Sequence, residues 1–85
     1  MKHYILLSVS VPEVHSDDRA RWYELQERLT PLAKTIKGIV QLGEGVWLLP
    51  RGPGMTFASE CMAVARVKHL TSTARFVSMD DEEGS

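Results

Sequence analysis

The sequence predicts an α+β domain in which a four-stranded antiparallel sheet carries two helices on one face. Three observations predict it. Four short apolar runs, at residues 4–11, 39–42, 46–49 and 73–79, have the composition of strands. Stripes at helical spacing lie between the first run and the second, and again between the third and the fourth. The middle two runs are separated by Gly43-Glu44-Gly45 alone, the signature of a hairpin turn.

Each element has its own warrant. Tyr4 to Val11 starts as a continuous apolar run suited to the middle of a sheet, then alternates Ser8, Val9, Ser10, Val11 before Pro12 stops it. Pro12 to His15 reads as a loop. Ser16 is the expected N-cap of the first helix, with Asp17 and Asp18 placing negative charge in its first turn. Trp22, Leu25, Leu29, Leu32, Ala33 and Ile36 form one stripe of a 3.6-residue period, and Asp17–Arg21 and Glu24–Arg28 are expected i,i+4 pairs. Pro31 either kinks this helix or opens a second short one capped by Thr30. Gly38 ends the segment. Ile39–Leu42 and Val46–Leu49 make the hairpin, closed by the rigid loop Pro50–Gly54.

Residues 56–70 fit two patterns. Thr56 as cap, with Phe57, Cys61, Val64, Ala65 and Lys68 along one stripe, describes a helix. Alternation of Met62, Val64 and Arg66 against their neighbours describes a strand over residues 60–69. The alanines and Met62 favour the helix. Thr73–Met79 is the last strand. The resulting order is βαββαβ, the ferredoxin-like arrangement, spanning residues 1–79 as one domain. Its second sheet face has no cover within the chain, so apolar residues there favour a homodimer or another partner.

Composition narrows the function. The 85 residues are 44% hydrophobic and 25% charged, as in a soluble globular domain. No apolar run approaches the roughly 20 residues of a membrane span, and the N-terminal apolar run is too short for a secretory signal, so a cytoplasmic setting is expected. Net charge is −1, yet Asp80, Asp81, Glu82 and Glu83 hold four of the eleven acids, leaving seven acids against ten bases before them. Residues 80–85 are expected to be a solvated, disordered tail, with phosphate mimicry as the functional alternative. The excess of bases alone is no nucleic-acid footprint, because no aromatic residues clearly interleave with them. Direct nucleic-acid binding has no support from this pattern.

Chemistry-bearing patterns are sparse. Cys61 is the single cysteine; it reads as a core thiol, with a reactive thiol as the alternative. His3, His15 and His69 have no metal-ligand spacing with it, so neither a metal nor a cofactor is expected. The glycine-containing loop 50–54 lacks a phosphate-binding pattern, and no nucleophile motif is present. Trp22 belongs to the helical stripe. Trp47, in the hairpin, could be core or exposed. Taken as exposed, it centres a working surface on the outer sheet face, with Arg51 and Arg75 as charged contacts.

Tyr4–Val11 followed by Val40-Gln41 and Val46-Trp47 resembles the Cas2 and SinR-like group of small ferredoxin-like homodimers, over residues 3–50. The resemblance implies the scaffold and a dimer. The family's first-strand Asp, which would hold a divalent metal between subunits, falls near Ser10, and a hydroxyl is a poor substitute for a carboxylate toward Mg²⁺. The function expected is therefore a non-catalytic binding module docking on a protein or nucleoprotein complex. Its size and lack of motifs also suit a phage-type inhibitor of a host defence complex, including an anti-CRISPR protein. The alternative is a metal-dependent nuclease using Asp17 or Asp18.

Overall fold

The structure, a computed structural model, describes residues 2–79. The expected acidic tail, residues 80–85, lies outside them. Six elements follow in the order β1 (Lys2–Val9), α1 (Arg19–Ala33), β2 (Val40–Gly43), β3 (Val46–Pro50), α2 (Gly54–Val67) and β4 (Ser72–Met79). The strands form one antiparallel sheet in the spatial order β2-β3-β1-β4, with both helices on one face, so the fold is ferredoxin-like.

Register divides the side chains. Residues directly opposed in an antiparallel pair share a face. Ile5, Leu7 and Val9 face the helices, and so do their partners Leu49, Trp47, Phe76, Ala74 and Ser72. Tyr4, Leu6 and Ser8 face the other way, opposite Pro50, Leu48 and Val46 on β3 and Val77, Arg75 and Thr73 on β4.

The two helices meet the sheet differently. α2 presents Gly54, Ala58, Cys61 and Ala65 among its buried residues. These small side chains let it approach closely: a Cβ on Gly54 would stand 2.6 Å from the Cβ of Leu49. α1 buries Trp22, Leu25 and Leu29 and stands further off, with none of its Cα atoms within 8 Å of a strand's. Aromatic rings span the gap. Trp22 lies 6.2 Å from Trp47 between centroids, and Trp47 lies 5.6 Å from Phe57 in an edge-to-face arrangement.

Several sequence expectations need correction. Residues 60–69 do not form a strand, because α2 runs unbroken to Val67. The capping expectations fail at both helices. Ser16 does not cap α1; its hydroxyl accepts from the Asp18 N–H in the preceding turn, and Asp18 occupies the N-cap position, so no acid falls in the first helical turn. Thr56 lies inside α2, which starts two residues earlier after Pro53. Pro31 neither opens a second helix nor ends the first, which continues to Ala33 but stops short of Ile36. β1 ends at Val9 rather than Val11, where the Val9 N–H donates to Gly45 and the Ser10 N–H to Thr71, both at 2.8 Å.

The expected pairs along α1 are replaced by contacts to neighbours. Arg21 pairs with Asp18 at 3.3 Å, and Glu24 accepts from Lys68 of the α2 C-cap at 2.7 Å. Arg28 faces Glu60 of α2 at 3.9 Å. Glu24 and Arg28 thus find partners on the second helix alongside, whereas Arg21 stays local, bound to the N-cap of its own helix.

Candidate docking surface

The helix-free face of the sheet carries an apolar strip. Leu6 and Leu48 are directly opposed at its centre, and Val40 follows across β2. Tyr4, Val46, Pro50 and Val77 surround them, all half-buried, whereas Val40 is 49% exposed. Leu42, beside the irregularity in the β2–β3 register, is 57% exposed. Lys2 and Arg75 are the charged residues whose registers place them on this face among the described strands, and neither forms an ion pair with another described residue. At one end the Ser8 and Thr73 hydroxyls hydrogen-bond at 2.7 Å. The face is therefore apolar in the middle and positive toward β4.

The three residues expected to act together are separated. Trp47 is 6% exposed and lies on the helix-covered face, so its placement at the centre of the outer surface is corrected. The physical reason is parity: Trp47 opposes Leu7, and Leu7 points into the core. Trp47 also lines a cavity of about 290 Å³ beside α1, together with Gln26, Thr30, Lys34 and Gln41. Arg51 lies at the end of the sheet, with its N–H donating to His3 and its guanidinium 4.6 Å from the centroid of Phe76. That ring is on the helix side of β4. Only Arg75 is on the open face, opposite Leu6.

Groups with catalytic potential do not converge. Cys61 is wholly buried, and burial pushes its thiol up to about 12, which leaves no thiolate at neutral pH. His3 bonds the Ser78 hydroxyl at 2.9 Å, while His15 and His69 are exposed elsewhere. Asp17 and Asp18 are exposed in the turn before α1, and Asp18 is engaged with Arg21. Among the described residues no three His, Cys, Asp or Glu side chains form a group that could hold a metal ion. Arg19 is committed to structure: it donates to the Pro12 carbonyl at 2.7 Å and pairs with Glu44 of the hairpin turn. That pair and the Tyr23 hydroxyl raise the Arg19 guanidinium above its usual value, the Tyr23 bond contributing most.

Sequence reasoning passed over Tyr4, Leu6 and Leu48 as a unit. The signal was present, because β1 is apolar at both odd and even positions from Tyr4 to Leu7. A strand with one solvated face would alternate there.

Comparison with known proteins adds no relative: no family model, no curated protein and no solved structure matches the chain. Among the described residues, no helix is long and apolar enough to cross a membrane.

Proposed function

We propose that this chain is a docking module without catalytic activity, which binds a protein or nucleoprotein complex through the open face of its sheet. The observation that carries the reading is the Leu6–Leu48–Val40 strip. It lies on a face with no helix over it, with Lys2 and Arg75 as its charged residues. An apolar strip flanked by cations suits a partner surface that is apolar with an acidic margin. Inhibition of a host defence complex by masking such a surface is one activity this chemistry would support. The cytoplasm is the compartment the reading assumes.

The test compares wild type with Leu48→Lys in affinity capture from the native host's lysate. Leu48 opposes Leu6 on the uncovered side, so the variant is expected to keep the wild-type thermal midpoint. It should lose by about tenfold or more the complex retained by the wild type, the scale of one buried leucine contact. Retention of that complex by a folded Leu48→Lys protein would reject the open face as the docking surface. Divalent-metal-stimulated nucleic-acid cleavage, lost in Asp17→Ala/Asp18→Ala, would establish the nuclease alternative instead.

A further inference from the structure

The two edges of the sheet are unlike. β2 is four residues long and irregular in register, which protects it from further pairing. β4 is eight residues long and pairs with β1 alone, in unbroken register from Lys2–Met79 to Val9–Ser72. The Ser10 N–H donates to Thr71 of the β4 side, whereas the Val9 N–H donates to Gly45 of the β3 side. Antiparallel ladders alternate residue by residue, so Thr73, Arg75 and Val77 exchange their backbone bonds with β1. Ser72, Ala74, Phe76 and Ser78 turn theirs toward the free edge, where an extended backbone matches donors and acceptors at that spacing. The side chains beside this edge are apolar. Phe76 is 62%, Met55 46% and Met62 38% exposed, and the three line a groove of about 150 Å³ between β4 and α2. Past Met62 the groove continues into a depression beside Arg66, Leu70 and Ser72, and no Asp or Glu lines either part.

The arginines select the charge of the occupant. Arg19, Arg21 and Arg28 pair with acids on the helices and the hairpin turn. The other three, Arg51, Arg66 and Arg75, pair with no other described residue, and all three border the β4 edge. Arg51 holds its guanidinium 4.6 Å from the centroid of Phe76, Arg66 lines the groove near Ser72, and Arg75 lies within β4 itself. We infer that the β4 edge binds an extended segment of another protein in which apolar residues alternate with acidic ones. An added strand follows the alternation of the sheet, so its residues beside Ala74 and Phe76 point toward the groove, while those beside Arg75 share the opposite face. Apolar side chains suit the first set and carboxylates the second. The surface is the edge of the sheet and stands apart from the docking face, since it leaves Leu6 and Leu48 free.

NMR titration of the full chain with a peptide of about seven residues, alternating valine and glutamate, tests it. The peptide is expected to slow hydrogen exchange at Ala74, Phe76 and Ser78 and to leave Thr73, Arg75 and Val77 as they were. A peptide alternating valine and lysine should bind about tenfold more weakly or worse, the sum of several exposed ion pairs. Arg51→Glu/Arg66→Glu should weaken the glutamate peptide by about the same factor, and so should Met62→Glu, which sets a like charge in the groove. Ala74→Pro removes an outward N–H without removing a bond to β1, and should abolish the slowed exchange. If Ala74→Pro unfolds, as judged by tryptophan fluorescence, the exposed substitutions on α2 and Arg51 decide alone. Unchanged exchange at millimolar peptide overturns the proposal, and so does equal binding of the lysine peptide or of an oligouridylate. Protection of the outward amides by protein concentration alone would give the edge to a second copy instead. Binding that requires removal of residues 80–85 would give it to the chain's own end. Leu48→Lys should leave peptide binding intact, which separates this result from failure of the docking face.

Discussion

Trp47 marks how a single residue is assigned to structure or to surface. Its ring bridges Trp22 and Phe57, so it ties the distant helix α1 to the sheet. Trp47→Ala is expected to cost about 3–5 kcal/mol, typical of a large aromatic removed from a core, and denaturant unfolding measures it. A loss under about 1 kcal/mol would return Trp47 to the surface. Cys61 gives a second test. Its thiol is held near 12 in the folded chain against an ordinary 9.0, so the folded state keeps the proton more tightly. The stabilisation is complete below about pH 9 and drains away as pH rises toward 12. Cys61→Ala should therefore flatten the fall in the denaturation midpoint over that range, relative to wild type. Indole burial was open from sequence because odd and even positions of Val46–Leu49 are equally apolar. Only the pairing of Trp47 with Leu7 decides which parity points inward.

Elements were legible where composition and period agreed. Five of the six were readable in order, since glycine or proline punctuates every boundary but the last and α1 repeats its apolar positions over four turns; α2 stayed open between helix and strand, and it turns into β4 through His69 at φ 61° with neither residue. Their ends were not. Ser16 and Thr56 are good caps by chemistry, but the chain turns into its helices at Asp18 and Pro53, neither of which makes a side-chain cap. Pro31 was the hardest position to read. It sits within the last turn of α1, where the missing N–H leaves Glu27 without its helical donor, while the Thr30 hydroxyl donates to Gln26 at 2.8 Å. The Pro31 ring itself is exposed. Pro31→Ala should accordingly raise stability by about 1–3 kcal/mol, seen as a higher midpoint with an unchanged denaturant slope. A destabilised Pro31→Ala protein would mean that the ring itself packs against the core.

At the scale of the molecule, the sheet sets both what is stable and what is open. β1 is bonded on both sides and lies over the small-residue face of α2, so its amides should exchange only on global unfolding. β4 is bonded on one side, and the alternation of its ladder makes a residue-by-residue expectation. In dilute protein, amides of Thr73, Arg75 and Val77 should be protected while those of Ala74, Phe76 and Ser78 exchange as exposed groups. Hydrogen exchange read by NMR resolves the two sets directly. Protection of all six amides in dilute protein would contradict the edge assignment. Concentration-dependent shifts of the Leu6 and Leu48 methyl resonances, by contrast, would place self-association on the open face.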